Sequence, residues 1–304
     1  MLYRLLQLPL AILTAAIFVD VMWPLTSCIA GEGWPQFRGA AATGVANDSR
    51  PPTKWSATEN VRWKVDLPGA GASSPIITGE RVYVTCYSGA QEARSDVAQR
   101  HLSCIDLATG KLLWTESVPA AKPEDAYQGF LREHGYASNT PVTDGERIYV
   151  FYGKSGVFAY DLDGKELWKI SIGQDASNRR WGSGASLMLA GDALIVNASE
   201  EGRSIRALNK RTGEELWKSG AETLELSYST PNLATTADGR EDLVVAIAGE
   251  VWGLNLETGK LRWYAQTQIS GNITPTPIVE SDVVYVTCGR PVASHAIRVG
   301  GKGD

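Results

Sequence analysis

The chain has 304 residues, 43% hydrophobic and 21% charged, with a formal net charge of −5. That balance excludes a wholly disordered chain, and mild acidity without a basic block excludes nucleic acid as the main partner. The 31 glycines and ten tryptophans suit short strands, tight turns and large rings in repeated pockets.

Arg4 precedes an uncharged run from Leu5 to Val19, which Asp20 ends. The run has the length of a signal-peptide core and is short for a bilayer span. Residues 1–30 are therefore read as an export signal. Two exits fit. Cys28-Ile29-Ala30 matches a small-x-small cleavage site after Ala30. Leu25-Thr26-Ser27-Cys28 matches a lipobox, which would leave Cys28 lipidated at a new N-terminus. The expected location is periplasmic or secreted, with the membrane touched only through that lipid. No later run is long and apolar enough to span a bilayer. Without Cys28 three cysteines remain, Cys86, Cys104 and Cys288, an odd number that disfavours a disulfide framework. Cys86 and Cys288 share a repeat position with Ala198 and Ala248 and are read as small buried thiols.

Residues 31–60 read as an irregular segment. From 61 to 304 the chain repeats. Four segments align as IDLATGKLLW (105–114), YDLDGKELW (160–168), LNKRTGEELW (208–217) and LNLETGKLRW (254–263). Trp63, Trp114, Trp168, Trp217 and Trp263 recur about every 50 residues. Before each turn a short apolar strand meets an alternating β-branched one, as in SSPIITGERVYVTC (73–86). Each repeat is thus strand, turn, strand, loop, strand, Gly turn, strand ending at Trp. Four antiparallel strands per period describe a β-propeller blade. Gly110, Gly164, Gly213 and Gly259 supply the positive φ of the last hairpin. One tryptophan per blade is read as a structural wedge between neighbours. The fold class is all-β, a propeller of four-stranded blades, with about five present. The last blade lacks a fourth strand. Either the ring is larger than this chain, or Asn60–Val65, carrying Trp63, closes a five-blade ring.

Catalytic signatures are sparse. The DxDG of Asp161–Gly164 lacks the Glu of an EF-hand, having Ile172 there. No zinc-protease, phosphate-loop or nucleophile-elbow motif occurs. His101, His134 and His295 have no ligand spacing, so no metal site is expected. The best candidate site is the channel rim, where residues entering each innermost strand converge. These are Glu133, His134, Tyr136, Arg179, Arg180, Trp181, Tyr228 and Asn272. The arginines could hold an anion, Trp181 could stack on a ring, and His134 could donate or accept a proton. The competing reading is that these groups satisfy each other and water. The insert Ala120–Arg132 is either a lid or a solvated loop. The polar segment 90–100 reads as a solvated hairpin tip.

The repeated Thr-Gly-x-x-x-Trp pattern resembles the tryptophan-docking motif of pyrroloquinoline-quinone-type propellers. WPQFRG (34–39) and EHGYASNTPVTDGERIYVFYG (133–153) resemble an exported bacterial branch of that family. The resemblance covers residues 34–304. The superfamily includes quinoprotein alcohol dehydrogenases and the propeller lipoprotein of the outer-membrane assembly machine. The resemblance implies, for a dehydrogenase, a vicinal Cys-Cys pair, a calcium held by Glu and Asn, and an Asp base. This chain has no Cys-Cys pair. The expected function is therefore a non-catalytic exported scaffold with a protein or glycan partner and no cofactor. The alternatives are a periplasmic dehydrogenase of alcohols or sugars, using pyrroloquinoline quinone with calcium, and a carbohydrate-binding propeller.

Overall fold

The structure is a computed structural model and describes residues 33–46, 50–90, 97–288 and 292–301. The expected export signal, with Cys28, lies outside the described residues, as does most of the hairpin tip at 90–100. Five antiparallel sheets follow one another along the chain. Blade 1 holds β1 (Ile76–Thr78), β2 (Arg81–Ser88), β3 (Gln99–Asp106) and β4 (Leu112–Pro119). Blade 2 holds β5 (Val142–Thr143), β6 (Arg147–Phe151), β7 (Val157–Asp161) and β8 (Glu166–Ile170). Blade 3 holds β9 (Met188–Ala190), β10 (Ala193–Ala198), β11 (Ser204–Asn209) and β12 (Glu215–Gly220). Blade 4 holds β13 (Asn232–Thr235), β14 (Glu241–Ile247), β15 (Glu250–Asn255) and β16 (Leu261–Gln266). Blade 5 has β17 (Ile278–Glu280), β18 (Val283–Cys288) and β19 (Ala293–Arg298). Two single-turn helices, α1 (Leu131–His134) and α2 (Ser199–Gly202), interrupt the strands.

The last hairpin of each complete blade explains its sequence. Asp106 Oδ1 accepts the Thr109 N–H at 2.7 Å, and Asn209 and Asn255 accept the equivalent Thr212 and Thr258 N–H groups at 3.2 and 3.0 Å. The turn glycine follows at φ of +68° to +93°. The pairing then slips by one residue, for example between Cys104 and Ile105. The bulged residues include Leu113, Leu167 and Leu216, which point to solvent. A bulge increases local twist. Here it turns the next residue, the tryptophan, onto the following blade. A Cβ on Gly110 would lie 2.5 Å from Trp63, one on Gly213 2.7 Å from Trp168, and one on Gly259 2.3 Å from Trp217. The indole N–H groups of Trp63, Trp168 and Trp217 donate to Leu107, Lys210 and Leu256 carbonyls at 2.9, 3.1 and 2.9 Å. Trp114 lies over Gly164. Trp263 differs, donating to Asp242 Oδ2 at 2.8 Å within its own blade.

The core lies between blades. Tyr83 and Leu102 of blade 1 meet Ile148 and Tyr160 of blade 2. Ile195 and Ile205 of blade 3 meet Leu243 and Val245 of blade 4. Middle strands are therefore buried on both faces. Near the channel a second device joins the blades. The backbone N–H of Ser74 donates to Thr140 Oγ1, that of Thr140 to Ser186 Oγ, and that of Ser186 to Thr230 Oγ1, at 3.0, 3.0 and 2.9 Å. Thr140→Val should cost about 1–3 kcal/mol, because the Ser74 N–H loses its acceptor. Thr140→Ser should restore most of that loss in denaturant unfolding.

Blade 5 is covered on one side only. Val284 and Val286 pack on blade 4, while Ile278 and Tyr285 are 40% and 46% exposed. Among the described residues the sheets do not close into a ring. Asn60–Val65 forms no strand, and β19 pairs with β18 alone among the described residues. The five-blade closure is thereby corrected: Trp63 rests on the blade 1 turn, and its segment completes no sheet. In the N-terminal segment Trp34 makes two backbone hydrogen bonds with Ile77 on β1, at 3.0 and 2.9 Å. Cys86, Cys104 and Cys288 are free, and Cys288 is half-buried rather than buried. Cys86 sits opposite His101, out of register with Cys104.

Candidate functional site at the channel rim

One residue from each blade's entry reaches the rim: Ala72, Ser138, Gly184, Tyr228 and Thr274. With Phe130, His134 and Trp181 they line a recess of about 200 Å³. Its wall is aromatic. The Phe130 and Trp181 centroids are 4.5 Å apart, those of Trp181 and Tyr228 5.7 Å, and those of Phe130 and His134 5.5 Å. Trp181 and Tyr228 are stacked at 27°. Ala72, Ser138, Gly184 and Thr274 complete the lining with small side chains. A larger space of about 740 Å³ adjoins it, but Tyr285, Thr287 and Ser294 of the uncovered blade 5 face line it together with Phe37 and Arg38. It shares Ala72, Ser138, Gly184, Tyr228 and Thr274 with the recess, so the two form one space along the inner strands, open beside blade 5.

His134 Nδ1 lies 2.6 Å from Ser138 Oγ. Burial lowers its pKa, so the ring is neutral at pH 7. Tyr228 Oη lies 3.4 Å from Ser177 Oγ, and burial pushes its pKa far above the ordinary range. A neutral imidazole and a neutral phenol can donate or accept hydrogen bonds, but neither carries charge to the recess.

Of the rim residues named from sequence, the structure brings together His134, Trp181 and Tyr228. Glu133, Arg179 and Arg180 are exposed and outside the lining. Asn272 is also outside; its carbonyl accepts the Cys288 thiol at 2.9 Å. Tyr136 turns away because the chain reverses at Gly135, φ +70°, where a Cβ would strike Tyr87 at 2.1 Å. Its ring packs under Arg100, 4.4 Å from the guanidinium carbon, and its hydroxyl donates to the Asp125 carbonyl at 2.6 Å. Phe130 was not named from sequence. It lies in the insert, which has no repeat pattern to place it. The aromatic spacing Phe130-x-x-x-His134 on a helix entry was the one available signal.

No acidic residue lines the recess. A calcium ion there would have no carboxylate ligand. Among the described residues no group of three or more His, Cys, Asp or Glu could hold a metal ion.

The sequence pattern described as outer membrane protein assembly factor BamB matches residues 43–122 and 98–300. The BamB of Burkholderia pseudomallei (strain K96243) is 27% identical over 223 residues, covering 73% of this chain and 48% of that protein. The chain thus spans about half the length of that curated relative. Among solved structures, the quinohemoprotein alcohol dehydrogenase of Comamonas testosteroni aligns with a TM-score of 0.55 at 14% identity, over 90% of this chain and 47% of that one. BamB from Moraxella catarrhalis aligns with a TM-score of 0.48 at 17% identity, over 78% and 74%. The dehydrogenase likeness is one of fold. By the extent of its sequence match, this chain belongs to the family of the outer membrane protein assembly factor BamB.

Proposed function

We propose that this chain is a non-catalytic, exported scaffold that binds a protein partner during outer-membrane protein assembly. The observation that carries the reading is the family match across residues 43–300. The site agrees with it. A rigid stack of blades presents an aromatic wall with neutral polar groups, a surface suited to recognition rather than to proton transfer. Aromatic side chains commonly dominate binding energy at interfaces.

The test is direct binding of the purified chain to the host's purified outer-membrane assembly complex. Saturable binding is expected. Trp181→Ala should weaken it by about 2 kcal/mol, roughly 30-fold in Kd, if the rim takes part. Absence of saturable binding would sink the reading. A rise in Tm with pyrroloquinoline quinone and calcium would favour a dehydrogenase instead. Ligand at about 100 times its Kd stabilises by about 2.7 kcal/mol, a readable shift.

A further inference from the structure

Beneath the rim the insert between β4 and α1 closes over a chamber between blades 1, 2 and 3. Two buried ion pairs hold it there. Glu124 of the insert pairs with Arg100 on β3. Asp125 of the insert lies 2.9 Å from Lys154 Nζ, just after β6. Those four charges cancel. Two more carboxylates enter the same chamber from α2, Glu200 and Glu201, which are 4% and 2% exposed. Glu200 Oε2 accepts the Ser177 N–H at 3.0 Å. Glu200 Oε1 and Glu201 Oε2 are buried without a protein hydrogen-bond partner. Arg100 Nε and Nη1 and Tyr152 Oη are in the same condition.

Two adjacent carboxylates in such a place cannot both ionise at ordinary pH. A metal ion is a poor solution. The guanidinium donors of Arg100 line the same chamber and would repel it. The chamber therefore needs a proton. The insert that covers it also carries Phe130, the outer ring of the recess wall.

We propose that Glu201 is the proton-dependent latch of the insert. Protonated, it lets the insert stay seated and Phe130 complete the recess. Ionised, it adds an uncompensated charge under the insert, which lifts and opens the recess. The groups facing it come from every neighbouring element: Arg100 from β3, Glu124 and Asp125 from the insert, and Tyr136 after α1. Tyr152 and Lys154 after β6, Glu200 on α2 and Tyr228 before β13 complete the set. Three of these are carboxylates and two are cations. Burial, together with Glu200, pushes the Glu201 carboxyl up to about 8. A raised carboxyl pKa gives stability that is fully present below the ordinary carboxylate range. It is lost as pH climbs through about 8.

The test is hydrogen exchange of the 120–135 backbone in the full chain, corrected for intrinsic rate, from about pH 6 to about pH 9. Protection of this segment is expected to fall many-fold as pH rises toward about 8 and to level off above it. In Glu201→Gln, which stays neutral, protection should be flat across the range. Flat protection in the wild type would overturn the latch, as would an undiminished loss in the Gln variant. Should Glu201→Gln fail to fold, Glu200→Gln decides. A neutral amide in place of Glu200 should move the levelling-off point down in pH, and an unmoved point overturns the proposal.

Discussion

Replacing Trp217 by alanine should lower the unfolding free energy by about 3–5 kcal/mol. The ring is 8% exposed and lies flat on the Gly259 turn of the next blade. Its N–H satisfies the Leu256 carbonyl at 2.9 Å. Truncation removes the buried ring, leaves a cavity between blades 3 and 4, and strands that carbonyl. The adjacent Leu216 is the control. It is 51% exposed on the bulge, and Leu216→Ala should stay within about 0.5 kcal/mol. Gly259→Ala attacks the same contact from the other side. The new Cβ would meet the Trp217 ring at 2.3 Å with φ at +68°, so a cost of about 1–3 kcal/mol from backbone strain precedes any clash. Denaturant unfolding measures all three. A loss below about 1 kcal/mol for Trp217→Ala would remove the wedge from the account of blade cohesion.

The blades were legible because every device that builds them is local. An Asp or Asn, a glycine and a tryptophan lie within ten residues, and the turn, bulge and ring direction follow from that spacing. The rim was legible only in part. Its residues enter from loops, where one backbone torsion decides which way a side chain faces. Gly135 sends Tyr136 down beside Arg100 although His134 stays in the recess. The insert was legible as a segment outside the repeat, but its anchoring was not. Its anchors Glu124 and Asp125 find Arg100 and Lys154 in separate strands and turns, and no periodicity records such a pairing. Trp263 shows the same limit inside the repeat. Its sequence context matches the other wedges, but its N–H goes to Asp242, two strands away in its own blade.

Asp242 makes that last wedge different in kind. The carboxylate is fully buried on β14. It accepts the Trp263 N–H at 2.8 Å and two bonds from Arg240 at 3.1 and 3.0 Å, and it pairs with Arg262. Asp242→Ala would leave two arginines facing a space without their counter-ion. A cost of about 3–5 kcal/mol at neutral pH is expected. Burial pushes the Asp242 carboxyl up, but the bonds from Arg240, Arg262 and Trp263 outweigh it and hold the pKa below the ordinary carboxylate range. A lowered carboxyl pKa gives stability that is present above the ordinary value and lost as pH falls through the folded one. The wild-type advantage over Asp242→Ala should therefore shrink in acid, read as converging denaturation midpoints. Trp217→Ala supplies the contrast, because its acceptor is a backbone carbonyl that does not titrate. Its loss should be the same at every pH where the chain folds. Parallel acid profiles for the two variants would mean that Asp242 supports blade 4 through shape alone and not through its charge.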